Sequence, residues 1–233
     1  MAIVKQYDFI VIGGGSGGVA AARHAAGYGA RTALIEADRI GGTCVNRGCV
    51  PKKVMWNTAA VAEAIRYAAD YGFNLELRGF DWSVIKRARD AYIARLNAVY
   101  HRGLAASGVE EIAGMATFSD PHTVIVGDVE LRAEHILIAT GSFPEVEDVP
   151  GANLGITSDG FFELARQPRR VLIIGAGYVA VEFAGFLNAL GSEVFMLLRN
   201  EMFLRDFDAT LRETLMEEMQ AAGVNIHACR KIA

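Results

Sequence analysis

The chain has 233 residues, 52% of them hydrophobic and 21% charged, which suffices for one or two domains with cores of their own and no need of crosslinks. Its formal net charge is −4 and no basic run exceeds two residues, so nucleic acid and an anionic membrane surface are set aside as main partners. No stretch of eighteen apolar residues occurs, and the N-terminal MAIVKQYDFIVIGGG lacks the order of a secretory leader, so a soluble cytoplasmic protein is the expectation.

The predicted elements begin with a nearly continuous apolar strand over residues 7–12, the pattern of a parallel strand buried on both faces. Gly13-Gly14-Gly15-Ser16-Gly17-Gly18 follows, then an alanine-rich helix over 19–28 stopped by Gly29, then a strand over 32–35 that ends at Glu36. Gly13, Gly15 and Gly18 therefore stand in G-x-G-x-x-G spacing between strand and helix, with an acidic residue twenty-three positions after the first glycine. In that setting the glycines let the backbone turn and approach a pyrophosphate, the helix N-terminus faces its charge, and Glu36 can accept from a ribose hydroxyl. The alternative is an ordinary strand-to-helix turn followed by a solvated glutamate.

Next comes GGTCVNRGCVPKK, residues 41–53, which sets Cys44 and Cys49 five positions apart in a chain with one further cysteine, Cys229. On a regular helix their Cα atoms would lie roughly 8.6 Å apart, beyond the roughly 7 Å reach of a disulfide. The segment must therefore depart from helix, and Gly48 is placed to allow it. A bridge would close a very short loop and add little stability. A zinc half-site would lack its second pair, because Cys229 is isolated and the five histidines are scattered, so no metal site is expected. In a reducing compartment such a pair points to redox function. Arg47, Lys52, Lys53 and the start of the following helix favour the thiolate that this chemistry requires.

Helices are expected over about 50–67 and 82–106, then a β segment over about 112–138 ending in ILIATG, and a linker at 142–152 marked by Pro144 and Pro150. The opening pattern then returns as a strand over 171–174, a second fingerprint from Gly175 to Ala180, a helix over 181–190 and a strand over 193–198. Where the first repeat has Glu36, this one has Arg199, with Arg205 six residues later. A carboxylate there would repel a ribose 2′-phosphate, whereas guanidinium groups bind one, so NADP(H) is the expected second nucleotide. The alternative for both arginines is a solvated strand end paired with Asp206 or Asp208. A helix over 208–222 and a strand over 224–227 complete the pass.

The fold class expected is α/β, with two consecutive Rossmann-like units of three layers around parallel sheets, the first carrying an inserted antiparallel β segment and the second incomplete. Residues 1–150 are expected to bind FAD and residues 151–233 to bind NADPH. Two dinucleotide folds beside a dithiol suit a relay in which hydride passes from NADPH to FAD, and electrons then reach a disulfide whose reduced form passes them on by thiol–disulfide exchange.

GGTCVNRGCVPKKVMWNTA, GGGSGG, ILIATG, LGITSDGFF and GAGYVAVEFAG together resemble the glutathione reductases, FAD-dependent pyridine nucleotide-disulfide oxidoreductases, over nearly the whole chain. The resemblance implies NADPH-dependent reduction of glutathione disulfide. Cys44 would attack the substrate disulfide and Cys49 would lie against the flavin, with Lys52 near it and paired to Glu182. Tyr178 would act as a lid that moves when NADPH binds. Gly13, Gly15, Ser16, Gly17, Gly18, Glu36, Gly42, Thr43, Ala116, Thr140 and Gly141 match positions lining FAD. Gly175, Ala176, Gly177, Val179, Arg199 and Arg205 match NADPH contacts. Ser16, Arg23 and Tyr100 match glutathione contacts, although from the residues alone Ser16 reads as a helix cap, Arg23 as a surface residue and Tyr100 as a half-buried aromatic. Arg47 departs from the family pattern, which is commonly apolar there. The family continues for about as many residues again and works as a homodimer, with a His–Glu acid/base pair partly supplied by the other subunit. None of His24, His101, His122, His135 and His227 lies in a motif that replaces it. A truncated cofactor-binding module without turnover, or a reductase of the trypanothione or dihydrolipoamide type, are the competing readings.

Overall fold

The computed structural model describes residues 3–232. In chain order its elements are β1 (Ile3–Ile12), α1 (Ser16–Gly27), β2 (Thr32–Glu36), α2 (Gly42–Arg47), α3 (Cys49–Tyr67), α4 (Trp82–Ala106), β3 (Glu110–Ala113), β4 (Thr117–Asp120), β5 (Thr123–Val126) and β6 (Val129–Ile138). They continue with α5 (Ser158–Phe161), β7 (Arg170–Ile174), α6 (Tyr178–Ala189), β8 (Glu193–Leu197), α7 (Ala209–Ala221) and β9 (Asn225–His227).

These elements group into two compact units, one of residues 1–51 and 90–144, the other of residues 52–89 and 145–233. This division differs from contiguous ranges meeting at 150. The reason is packing: Met55, Ala59 and Trp82 are buried in the same core as Phe161, Phe183, Phe186 and Met196.

The first unit is a six-stranded sheet in the order β3-β2-β1-β6-β5-β4. β1 pairs in parallel with β2 and, from Ile3 to Ile12, with Val129 to Ile138 of β6. The β segment expected from residue 112 is corrected in one respect. β3 lies parallel to β2 and belongs to the wound sheet, so only β4, β5 and β6 form the antiparallel meander, and β6 carries it into the sheet beside β1. Strand alternation sorts the residues between two faces. Val11 and Leu34 pack with Val19 and Ala22 of α1 and Leu104 of α4, while Ile10, Ala33 and Ile35 pack with Val124, Val126, Leu131 and Ala133.

The second unit has a three-stranded parallel sheet in the order β7-β8-β9. Phe161, Phe162, Phe183 and Phe186 meet edge-on or tilted in its core, with centroids 4.5 to 5.7 Å apart, and Trp82 donates from Nε1 to the Leu164 carbonyl at 3.0 Å. That geometry suits the aromatic quadrupole and satisfies the Trp82 indole N–H buried beside the rings. Among the described residues no helix is long and apolar enough to cross a membrane.

Candidate functional site

The first glycine loop is built by close approach. A Cβ on Gly18 would lie 1.8 Å from the Gly13 carbonyl oxygen, so only glycine lets the start of α1 sit against the end of β1. The N-cap of α1 is Gly15, which offers no side-chain acceptor, so the first-turn N–H groups are left for an external one. Glu36, at the end of β2, accepts from Gly14 N through Oε2 at 2.6 Å and from Asp38 N through Oε1 at 2.8 Å. Its carboxylate therefore braces this loop from within the protein as well as standing where a ribose hydroxyl is expected. Gly42 abuts the same loop, for a Cβ on it would meet the Gly15 Cα at 2.6 Å. Gly42, Thr43 and half-buried Cys44 are thereby brought to the fingerprint. Exposed Thr140 and Gly141 follow β6 at the same strand ends, where Ala139 N bonds to the Ile12 carbonyl at 2.8 Å, and half-buried Ala116 packs beside the sheet core. A loop held this close by backbone contacts, with uncapped N–H groups and an acid at the neighbouring strand end, fits a dinucleotide pyrophosphate and ribose.

The dithiol segment is distorted where its spacing demanded. α2 carries Cys44 and ends at Arg47, Gly48 takes φ −139° and ψ −114°, and α3 begins at exposed Cys49. A Cβ on Gly48 would stand 2.9 Å from the Thr43 carbonyl oxygen, so the break depends on that glycine. Two asparagines hold the segment. Buried Asn46 donates from Nδ2 to the Arg39, Ile40 and Gly42 carbonyls at 3.3, 3.1 and 2.9 Å. Asn97 of α4 donates to the Ile40 carbonyl at 2.7 Å and to Asn46 Oδ1 at 3.1 Å. Neither was singled out from sequence, although an asparagine inside a helical turn is the kind of residue that bonds local backbone instead of favouring helix. Arg47, expected to add positive charge beside the thiols, is ion-paired with Asp38, which offsets that contribution.

In the second unit the fingerprint is again uncapped. Gly177 is the N-cap of α6 with no side-chain bond, and Gly175 N donates to the Leu197 carbonyl at 3.2 Å, closing the strand end over β8. Half-buried Ala176 and Val179 pack on the core, while Leu204 N bonds to the Ala176 carbonyl at 2.8 Å and draws the 199–205 loop to the fingerprint. Arg199 lies 3.8 Å from Glu147, and Arg205 lies 3.5 Å from Asp206, the pairing weighed as its alternative role. Their side chains are 74% and 79% exposed, and pairs that exposed hold a guanidinium only weakly. Asp208 instead caps α7 by accepting from Leu211 N. Lys52 is ion-paired with Glu182 of α6, and its ammonium sits 5.3 Å from the ring centroid of exposed Tyr178. The three residues assembled by resemblance thus form one contact group.

Ser16, Arg23 and Tyr100 line one open depression of about 470 Å³ between α1 and α4, together with His24 and Ser107. Sequence reasoning missed the last two, which carry no motif. His101 stands 2.7 Å from Glu111 but does not line this depression.

Two glycine loops, each between a parallel strand and a helix, with a cysteine pair beside the first, define a class of dithiol protein with two dinucleotide-type loops. A family model described as pyridine nucleotide-disulphide oxidoreductase matches residues 7–233, and the chain belongs to that family. It is 51% identical over 234 residues to glutathione reductase of Schizosaccharomyces pombe, and 47% identical over 240 residues to glutathione reductase of Yarrowia lipolytica. Each alignment covers 97% of this chain, which spans about half the length of the relative, 50% and 51%. Among solved structures it is similar to the Cu(II) complex of the HOCl-induced flavoprotein disulfide reductase RclA from Escherichia coli. That similarity has a TM-score of 0.84 and 27% identity, over 97% of this chain and 50% of the other.

Proposed function

We propose that the protein reduces glutathione disulfide with NADPH, through FAD and the Cys44–Cys49 pair, in a cytoplasmic setting and within a homodimer. The observation that carries the reading is that Cys44 rides on a short helix whose first residue, Gly42, abuts Gly15 of the first glycine loop. A sulfur beside a dinucleotide cradle is where a flavin could exchange electrons with it. FAD supplies, when bound, the two-electron relay between nicotinamide and disulfide.

The residues divide the remaining work. The α1 N-terminus and its glycines would hold the FAD pyrophosphate, Glu36 the ribose, and Thr43, Ala116, Thr140 and Gly141 the rest of the molecule. Gly175, Ala176, Gly177 and Val179 would hold NADPH, with Arg199 and Arg205 on its 2′-phosphate. Lys52, fixed by Glu182, keeps a cation at the start of α3, and Tyr178 covers it until nucleotide binds. Cys44 thiolate attacks one sulfur of glutathione disulfide, forming a mixed disulfide and releasing one glutathione thiolate. Cys49 thiolate then attacks the Cys44 sulfur, releasing the second glutathione and leaving the Cys44–Cys49 disulfide.

The test is NADPH consumption by the FAD-loaded protein with glutathione disulfide, trypanothione disulfide or lipoamide. Consumption should depend on glutathione disulfide and vanish in Cys44→Ser while flavin reduction by NADPH persists. Preference for another disulfide, or turnover retained in Cys44→Ser, would sink the reading. Nucleotide binding without turnover would leave only a cofactor-binding module.

A further inference from the structure

Arg23 lies on the third turn of α1 and is exposed, a position where a long side chain normally samples many rotamers. It does not hang free. Its Nε donates to Ser107 Oγ at 3.1 Å, just past the C-terminus of α4. Ser107 is fixed in turn: its hydroxyl donates to the Gly103 carbonyl at 2.9 Å, and its backbone N–H is shared between the Gly103 and Leu104 carbonyls at 3.2 and 3.0 Å. A serine hydroxyl has one proton. With that proton committed to Gly103, the oxygen can meet Arg23 only as an acceptor, which is the role that Nε–H needs.

Gly103 completes the arrangement. A Cβ there would lie at ordinary contact distance, 3.6 Å from one terminal nitrogen of Arg23 and 3.7 Å from its central carbon, so the guanidinium rests against the α4 backbone at this residue. Among the described residues, no hydrogen bond or ion pair engages the two terminal nitrogens. Their four N–H groups form the fork that receives a carboxylate through two parallel bonds. Arg23, Ser107, Ser16 and Tyr100 all line the depression between α1 and α4.

We propose that Ser107 is a positioning residue that locks Arg23 over Gly103 so that its fork is preset for a carboxylate of the peptide substrate, an inference that rests on the glutathione reading above. A preset fork loses less side-chain entropy on binding than a mobile one. Lysine could not substitute for Arg23, because it has no second donor group to anchor while the charged head binds.

The experiment measures affinity for glutathione disulfide by calorimetry in the wild type, Ser107→Ala and Ser107→Thr, and repeats it with glutathione disulfide whose carboxylates are esterified. Ser107→Ala should weaken binding of the acid by about threefold to tenfold, the worth of one hydrogen bond. Ser107→Thr, which keeps the hydroxyl, should restore it, and the ester should bind wild type and Ser107→Ala equally. In the protein without ligand, the Arg23 Nε–H resonance should be ordered in the wild type and Ser107→Thr and mobile in Ser107→Ala. Equal affinity of Ser107→Ala for the acid, an equal loss for acid and ester, or an Arg23 Nε–H as ordered in Ser107→Ala as in the wild type would each overturn the positioning role alone. A wild type with no affinity for glutathione disulfide would overturn it together with the substrate reading.

Discussion

Arg199 and Arg205 are held on their loop by exposed carboxylates, Glu147 and Asp206, that a phosphate can outcompete. A dianionic phosphate offers more charge and more acceptor oxygens than one solvated carboxylate, and each guanidinium can meet it with charge-assisted bonds. Replacing either arginine by glutamine should weaken NADPH binding about tenfold or more while hardly changing that of NADH, as read by fluorescence titration. The difference should narrow as salt is raised, because both side chains are open to solvent. Equal losses for the two nucleotides would remove these arginines from 2′-phosphate recognition. Lys52 is a different case. With a side chain only 19% exposed it is held by Glu182 and Tyr178, and its charge is committed within the second unit.

At the scale of elements, the first nucleotide loop depends on how near α1 comes to β1. Gly17 and Gly18 are neighbours in one motif, yet their surroundings are opposite: a Cβ on Gly17 meets nothing within 4 Å, whereas one on Gly18 collides with the Gly13 carbonyl at 1.8 Å. Gly17→Ala should therefore raise the unfolding free energy by up to about 1 kcal/mol through helix propensity. Gly18→Ala should lower it by about 1–3 kcal/mol or more, because α1 must back away from the strand. Denaturant unfolding of both variants checks this, and a Gly18→Ala variant as stable as Gly17→Ala would contradict the close approach. The α2–Gly48–α3 break is the second such device. Ahead of it, Asn46 and Asn97 bind the Arg39, Ile40 and Gly42 carbonyls, and so hold the glycine turn that enters α2 in one shape where propensity alone would leave it loose.

At the scale of the molecule, the segment 52–89 shares a core with residues far along the chain. Trp82 is 5% exposed within that core and bonded to Leu164. Trp82→Ala should cost about 3–5 kcal/mol, and the loss should appear in the unit that contains β7, β8 and β9. Amide hydrogen exchange would check it: protection should fall in β7–β9 and persist in β1 and β2. Equal loss in both sheets would contradict the division into two units.

Much of this was legible in the chain. Residues 7–12 and 171–174 are apolar runs followed at once by glycines, so strand, turn and helix follow from local chemistry, and both loops formed there. The break at Gly48 follows from helix arithmetic and a glycine. The parallel membership of β3 was not legible, because a four-residue strand carries no mark of its partner's direction. The roles of Ser107, Asn46 and Asn97 were equally hidden, for each depends on a carbonyl or guanidinium brought near by another element. The segment 52–89 joined a distant core for the same reason, since burial is decided by neighbours in space. What the sequence by itself determined is therefore whatever short-range sterics and periodicity specify: two glycine loops, the acid-for-arginine exchange and a cysteine pair that cannot share a regular helix. What only the tertiary structure decided is which distant groups hold these parts in place, because hydrogen bonds and packing act over a few ångströms of space and take no account of separation along the chain.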